Sequence, residues 1–294
     1  MPELPEVETT RLALTPFLVG QQLRAVEIRA PKLRQATPTA SQLQGRTVTA
    51  LERRAKYMLA HLDDGNTLLI HLGMSGRFSI FPALDQPQGY TVLRPTQLSQ
   101  YPTPPLAKHD HVILTTPLAE LRYNDPRRFG LLLKMNTASL ATHPLLKNLG
   151  PEPLSPAFTP KGLYKTLQGK TTAIKPTLMN PAVVVGVGNI YASESLFLAG
   201  ISPTTPSPKL TLTQCTRLHA AVVKVLEHAL KLGGSTLRDY QQPTGEAGHF
   251  QDEFRVYGRA GQPCRTCGTA ITQMVQAQRS TYWCPTCQPT RGRA

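Results

Sequence analysis

The sequence lacks any run of about 18 consecutive apolar residues, the length that a membrane-spanning helix requires, so we expect no transmembrane segment and no membrane partner. It also lacks the basic, apolar beginning of a secretory signal, because the chain starts MPELPEVETT, with three glutamates among its first eight residues. The chain shows no internal repeat of fixed period. These absences predict a cytoplasmic protein.

Acidic residues are scarce. The chain has 18 Asp and Glu against 32 Lys and Arg, a formal net charge of +14. The stretch 254–294 holds six arginines and no acidic residue. Such an excess is typical of a protein that binds a polyanion, most often nucleic acid, and arginine suits bidentate contacts with phosphate. A surface of merely solvated cations is the alternative interpretation.

Periodicity divides the 294 residues into two parts, and an apolar content of 40% argues against wholesale disorder. The first part alternates apolar and polar residues around the turn Asp63-Asp64-Gly65-Asn66, which predicts antiparallel strands in a β-sandwich. Six prolines between residues 82 and 105 predict a surface loop. Beyond a linker the apolar spacing becomes helical, with Gly233 ending a helix. We predict a sandwich domain at 1–135, a linker at 136–150, a helical domain at 151–250 and a zinc finger at 251–294.

Four of the five cysteines form the pattern C-x2-C-x16-C-x2-C: Cys264, Cys267, Cys284 and Cys287. Two such knuckles direct four thiolates at one ion, which predicts one structural Zn²⁺ with no open ligand position. Disulfides are the alternative, and a reducing cytosol disfavours them. A short hairpin carrying Arg279 fits between the knuckles. The fifth cysteine, Cys215, lies on an apolar helical face and is predicted to be a core residue.

Several shorter patterns are candidate phosphate or base contacts. Gly186-Val187-Gly188 precedes a helical pattern with Asn189 at the expected N-cap, which is an anion site or, more commonly, an ordinary capped helix. "YNDPRRFG" sets Arg127 beside Phe129, and "HLGMSG" holds Met74 in a glycine-flanked turn. Such side chains wedge between bases in some DNA-binding proteins, whereas taken singly each is equally the mark of sheet packing.

Two further basic residues have a plain interpretation of their own. Lys56, in "RRAKYM", lies between strand-like apolar residues and is a surface lysine on local grounds. His71 is most simply a structural histidine.

The N-terminal stretch has a catalytic interpretation and a structural one. Pro2 is small enough that the initiator Met is expected to be removed, which exposes a secondary amine that attacks electrophilic carbon. Glu3 beside it is placed to transfer protons. The local alternative is a helix start, since proline and acids both favour the first turn.

The motifs PELPEVET, RRAKYM, HLGMSGR, NDPRRFG, GVGNIYASE and VYGR, followed by the paired CxxC ending, occur in one order across nearly the whole chain. In that order they resemble the formamidopyrimidine-DNA glycosylase family. The resemblance implies an α+β multidomain fold: an N-terminal β-sandwich with flanking helices, a helix-two-turn-helix domain and a C-terminal zinc-finger hairpin. It implies a monomeric base-excision repair enzyme, associated with the nucleoid, that flips 8-oxoguanine or formamidopyrimidines out of double-stranded DNA.

The resemblance also implies residue roles. Pro2 is the expected nucleophile, Glu3 the expected acid and Glu6 its support, and base loss is followed by β- and δ-elimination at the resulting iminium. Glu6 is also counted among the expected DNA-binding residues. The others are Lys56 at a phosphate beside the lesion, Met74, Arg127 and Phe129 in the hole left by the base, and Asn189, Arg259 and Arg279 at the backbone. Arg279 and Lys56 are further counted with the catalytic residues, and loop 234–250 is expected to close on the extruded base.

Two alternatives stay open at this stage. An endonuclease VIII-type glycosylase acts on oxidised pyrimidines, and the PELPEVET start with the Arg127 and Phe129 pair favours the purine enzyme over it. A non-catalytic zinc-ribbon DNA-binding protein accounts for the charge and the cysteines but leaves Pro2 without a role.

Overall fold

The computed structural model describes residues 1–83, 103–236 and 241–290. Most of the proline-rich segment predicted as a surface loop, and residues 237–240 of the predicted closing loop, lie outside these ranges. The chain divides into two compact units, one of Met1–Lys147 with Gly233–His249 and one of Asn148–Leu232 with Phe250–Ala294. The domain boundaries predicted above stay a prediction, because packing units and sequence domains need not coincide.

The first unit is the predicted β-sandwich. One sheet has the strand order β1-β6-β7-β5 and the other β2-β3-β4-β8, and all described pairings are antiparallel. The strands are β1 Ala25–Ile28, β2 Val48–Arg54, β3 Tyr57–Leu62, β4 Asn66–His71, β5 Arg77–Pro82, β6 Asp110–Thr115, β7 Ala119–Asn124 and β8 Leu131–Asn136. The predicted turn joins β3 to β4, with Gly65 at a φ of 75°.

The sandwich core lies between the two sheets and includes one face of the first helix. Met58 and Ile70 of one sheet belong to the same buried cluster as Phe78 and Leu121 of the other. Helix α1, Leu4–Leu18, adds Leu14 and other apolar residues to that cluster, and a short helix α2, Ala40–Leu43, adds Leu43. Because apolar burial is the main favourable term in folding, this shared core fixes where α1 begins relative to both sheets.

The second unit contains the helical part and the cysteine hairpin. Its helices are α3 Pro160–Gln168, α4 Ile174–Leu178, α5 Asn189–Leu198 and α6 Leu212–Lys231, and its hairpin strands are β9 Thr272–Gln276 and β10 Arg279–Trp283. Cys215, Leu218, Val222, Leu226 and Ala229 are buried along one face of α6, as their spacing predicts, and Gly233 follows at a φ of 71°. No helix in the described ranges is long and apolar enough to cross a membrane.

Candidate functional site

The predicted catalytic pair lies at the beginning of α1 in the first unit. Pro2 and Glu3 are both buried, whereas Met1 is 44% exposed. Glu3 is the N-cap residue, and the Glu6 carboxylate accepts its backbone N–H through Oε2 at 2.9 Å, as in a capping box. The helix-start interpretation of these acids is therefore confirmed as local structure, and it holds the backbone beside Pro2 in one conformation.

The second oxygen of Glu6 binds a distant segment of the same unit. Oε1 accepts both the backbone N–H of Ser235, at 2.7 Å, and its hydroxyl, at 2.9 Å. Gly234 precedes Ser235 at a φ of 77°, and a Cβ there would lie 2.9 Å from Glu6 Oε1, so the approach requires glycine. Glu6 is 2% exposed with both oxygens bound by donors from the chain, which connects the start of α1, with the predicted catalytic pair, to Ser235.

Lys56 lies in the two-residue turn between β2 and β3, after Ala55 at a φ of 56°. Arg53 donates to the Ala55 carbonyl at 3.0 Å and to the Glu8 carboxylate of α1 at 2.9 Å, and Arg11 donates to that carboxylate as well. Burial alone raises the pKa of Glu8, but the two guanidinium groups outweigh it and the pKa lies below its ordinary value. The turn that presents Lys56 is thus tied to α1 by an ionised carboxylate.

His71 marks an electropositive region around Lys56. Burial, followed by the charges of Lys56 and Arg34, lowers the pKa of His71 to about 4. The neutral ring accepts the backbone N–H of Gly73 at Nδ1, at 3.0 Å, and packs 4.9 Å from the Tyr57 ring. This hydrogen bond gives His71 a structural role, as its sequence position predicts. The smaller contributions of Lys56 and Arg34 to the lowered pKa show that two positive charges lie near the ring, and such charges would favour a phosphate.

The three residues predicted to fill the space of an extruded base lie on two adjoining turns. Met74 is half-buried in the turn after β4, and Arg127 and Phe129 lie in the exposed turn after β7. The Arg127 guanidinium stands 4.9 Å from the centre of the Phe129 ring, within cation–π range, and Phe129 is 47% exposed. An exposed phenylalanine ring held beside an arginine is available for a stacking contact with a base.

In the second unit, Asn189 lies one residue further along than the sequence suggested. Gly188 is the N-cap of α5 and Asn189 is its first helical residue, so its side chain is released from capping. Asn189 Nδ2 donates to the Ser280 carbonyl of the hairpin at 2.9 Å, and Oδ1 accepts from the fully buried Lys175 Nζ at 2.5 Å. Lys175 also donates to the Ser280 carbonyl at 3.1 Å and to Thr281 Oγ1 at 2.8 Å.

A buried carboxylate holds the segment that leads to Arg259. Glu194 of α5 accepts the backbone N–H groups of residues 255, 256 and 257 at 2.8 to 3.0 Å. Burial raises the pKa of Glu194, and these hydrogen bonds only partly offset the effect. Arg259 itself donates to the carbonyls of Arg255 and Pro263 and to the Gln262 side chain. These hydrogen bonds therefore orient the Arg259 guanidinium without a bound phosphate.

The four cysteines of the paired knuckles meet as predicted. Their Sγ atoms all lie within 4.8 Å of one another, with Cys264 to Cys287 at 3.9 Å and Cys267 to Cys284 at 3.4 Å. Tetrahedral Zn²⁺ with Zn–S bonds of about 2.3 Å requires sulfur atoms roughly 3.8 Å apart. The arrangement fits one structural zinc, which would brace the hairpin whose first β10 residue is the exposed Arg279.

Three family models match the chain in sequence order. The formamidopyrimidine-DNA glycosylase N-terminal domain matches residues 1–132, the H2TH domain of the same glycosylase matches residues 149–241, and the zinc finger found in FPG and IleRS matches residues 261–290. The chain belongs to the formamidopyrimidine-DNA glycosylase family.

Individual members of the family match over almost the full length. A formamidopyrimidine-DNA glycosylase of Burkholderia cenocepacia is 47% identical over 292 residues, which cover 98% of this chain and all of the relative. The crystal structure of the MutM (Fpg) protein of Thermus thermophilus has a TM-score of 0.82 at 41% identity and covers 98% of each chain. A Lactococcus lactis Fpg bound to DNA that contains an abasic site has a TM-score of 0.84 at 33% identity, covering 98% of this chain and 100% of the other.

Four residues that contribute to the site were not predicted individually from the sequence: Glu194, Lys175, Ser235 and Asp125. Each contacts a predicted site residue or the segment beside one, and each is almost fully buried. A buried charge is invisible to local periodicity, because the partner that makes it tolerable is distant in sequence. The local signals were the positions of Glu194 and Asp125 inside the quoted motifs GVGNIYASE and NDPRRFG, and that of Ser235 inside the predicted closing loop.

Proposed function

We propose that this chain excises oxidised purines, 8-oxoguanine and formamidopyrimidines, from double-stranded DNA and then nicks the strand at the abasic site. It acts as a monomer with one structural zinc, in the cytoplasm with the nucleoid. The observation that carries the proposal is full-length membership of the glycosylase family together with a buried Pro2-Glu3 pair at the start of α1.

The reaction begins at Pro2 once Met1 has been removed, and the exposure of Met1 beside a buried proline is compatible with that removal. The Pro2 nitrogen attacks C1′ of the damaged nucleotide, the bond from C1′ to the base breaks, and the base leaves with the proton that the Pro2 amine gives up. Glu3 donates a proton to the ring oxygen of the sugar, the C1′–O4′ bond opens, and an iminium joins Pro2 to the sugar. The iminium acidifies C2′, so the 3′ phosphate leaves by β-elimination and the 5′ phosphate by δ-elimination.

The other predicted residues are assigned to holding the DNA. Lys56, in its turn beside His71, binds a phosphate next to the lesion. Met74, Arg127 and Phe129 occupy the space of the extruded base, with Arg127 paired to the orphan cytosine. Asn189, Arg259 and Arg279 bind backbone phosphates, and Glu6 positions Glu3 rather than contacting DNA directly. When bound, zinc supplies only a brace for the hairpin, since four thiolates leave no position for substrate.

The test is borohydride trapping on a duplex that carries 8-oxoguanine opposite cytosine, with loss of Met1 verified by mass spectrometry. We expect a covalent cross-link with the wild-type protein, a slower reaction for Pro2→Gly, and no base release but intact binding for Glu3→Gln. Glu27→Gln is the control, because Glu27 is 57% exposed on β1. The absence of any cross-link would leave only a non-catalytic DNA-binding protein, and preference for thymine glycol would favour the oxidised-pyrimidine enzyme.

A further inference from the structure

The two turns that carry Met74, Arg127 and Phe129 share one buried carboxylate. Asp125 has no exposed surface, and it lies at the point where β7 leads into the Arg127 turn. Asp125 takes no part in the reaction steps proposed above. A buried carboxylate needs several donors to be tolerated, so its donors show what it holds together.

Those donors come from both turns. Oδ1 accepts the hydroxyl of Ser75, which follows Met74, at 2.6 Å. Oδ2 accepts the backbone N–H of Gly130, which follows Phe129, at 2.8 Å, and the Tyr123 hydroxyl at 3.3 Å. Burial and the adjacent carboxylate both raise the pKa of Tyr123, so its hydroxyl stays protonated as a donor.

A second bond runs directly between the turns. The Ser75 hydroxyl oxygen, while donating to Asp125, accepts the backbone N–H of Arg127 at 3.2 Å. The Asp125 carbonyl in turn accepts the backbone N–H of Arg128 at 3.2 Å. Arg128 has a φ of 56°, an uncommon conformation for a residue with a side chain, which these bonds hold in place.

The turns also touch through backbone alone. Gly73 has a φ of 68°, and a Cβ there would collide with the backbone of Phe129 and Gly130. The two backbones are therefore in direct contact, so the Met74 turn cannot shift towards the Phe129 turn without displacing it. The hydrogen bonds and the contact together make one rigid piece of two loops that are about fifty residues apart in sequence.

We propose that Asp125, acting through Ser75, is a positioning residue that locks the Met74 turn to the Arg127–Phe129 turn, so that opposite-strand contact and space filling occur as one event. The inference rests on the proposed function. It predicts that loosening the lock lowers the discrimination for the opposite base more than it lowers the rate of excision.

The experiment compares Ser75→Ala with the wild type in single-turnover excision of 8-oxoguanine placed opposite cytosine or opposite adenine. Alanine removes both bonds of the hydroxyl, and we expect the cytosine-to-adenine ratio of rates to fall about tenfold, the loss of one to two net hydrogen bonds. Asp125→Asn is the second variant. Its amide can serve Ser75 or Gly130 but not both as acceptor, so we expect the ratio to fall here too.

Ser207→Ala is the matched control. Ser207 is fully buried in the second unit and its hydroxyl also makes two bonds, to the Thr172 carbonyl at 2.8 Å and to Thr177 Oγ1 at 2.7 Å. It should lower the melting temperature to a similar degree and leave the ratio unchanged. An unchanged ratio in Ser75→Ala and Asp125→Asn, or equal loss opposite both bases, would overturn the inference, as would a wild type that excises without preferring cytosine. A wild type that excises nothing would instead overturn the proposed function.

Discussion

The two compact units hold their candidate site residues with different sets of buried groups. In the first unit, the buried carboxylates Glu6 and Asp125 accept hydrogen bonds from the segments that carry predicted site residues. In the second, a buried ammonium group, Lys175, donates to Asn189 and to the hairpin, and four thiolates stand ready for a metal. The first unit thus relies on buried carboxylates, whereas the second combines a buried carboxylate, Glu194, with a buried ammonium group and a cysteine cluster.

The chain has few acidic residues, and several of them are used inside the protein. Within the described ranges, five of the chain's 18 acidic residues are almost fully buried: Glu3, Glu6, Asp110, Asp125 and Glu194. Each of these acids that is withdrawn from the surface leaves the outside more positive without changing the net charge. These five acids therefore serve internal geometry, whereas within the described ranges only Arg122 and Lys175 are buried among the lysines and arginines.

Removing zinc should have the largest effect, because within the described residues only the second unit has a cluster of side chains that could hold a metal ion. Cys284→Ser, or exhaustive chelation, should release the hairpin and with it the Ser280 carbonyl that Asn189 binds. We expect affinity for a duplex with an abasic-site analogue to fall at least about 100-fold, since small zinc modules do not fold without their metal. Titration by fluorescence anisotropy measures the loss.

Circular dichroism should show that the strands of the sandwich persist after zinc removal. Cys215→Ala is the control for a lost cysteine, since Cys215 lies in the helical core away from the knuckles. It should retain one zinc per chain. Full affinity in a zinc-free protein would show that the hairpin does not depend on the metal.

Replacing Lys175 tests the other cation of the second unit. Lys175→Met keeps the length of the side chain but removes the ammonium group, which leaves the half-buried acceptors on Asn189 and Ser280 and the buried one on Thr281 without this donor. Unsatisfied buried groups cost about 1–3 kcal/mol each, so we expect at least a tenfold loss of affinity for the same duplex. Lys165→Met, which removes an exposed lysine from α3, is the control for charge. Equal losses in the two variants would mean that only net charge matters.

The sequence could predict everything that local pattern determines. Strand alternation, the helical face of α6, the CxxC spacing and the family motifs predicted the sandwich, the helical part and the zinc cluster. These features depend on neighbours within one turn or one hairpin, where spacing and geometry are directly related.

The sequence could not predict which residues hold the site together. Ser235 meets Glu6 across 229 positions, and Lys175 meets Thr281 across 106. Contacts at such separation depend on tertiary packing, which no local rule encodes. Asn189 shows the same limit on a smaller scale, since a shift of one residue moved its amide from the helix cap to the hairpin.

Acidification should destabilise the first unit, because His71 belongs to it and is neutral when folded. His71 has a folded-state pKa of about 4 against an ordinary value of 6.5, so the unfolded chain binds more protons between these limits. The stability that neutral His71 contributes is fully present above pH 6.5 and is lost as the pH falls towards 4. We expect the free energy of unfolding to drop by roughly 2 kcal/mol between about pH 7 and about pH 5 from this group. In His71→Asn, urea titrations should show a correspondingly shallower dependence, and an identical slope would contradict the assignment.

The smallest expected effect is a difference in stability between two glycine substitutions. It distinguishes the cost of backbone strain from the cost of contact with Glu6. Gly234 and Gly245 lie in the same segment at φ values of 77° and 84°, but only a Cβ at Gly234 would meet a neighbour, the Glu6 carboxylate. Alanine at either position costs about 1–2 kcal/mol for the left-handed conformation. Gly234→Ala should cost about 1 kcal/mol more and also slow excision of 8-oxoguanine several-fold, because it displaces the acceptor that holds Glu3 and Ser235. Melting temperatures and single-turnover rates for both variants make the comparison. Equal melting temperatures and equal excision rates in Gly234→Ala and Gly245→Ala would contradict this prediction. They would mean that the Glu6 side chain moves aside without cost and that the apolar core of the first unit alone positions Glu3.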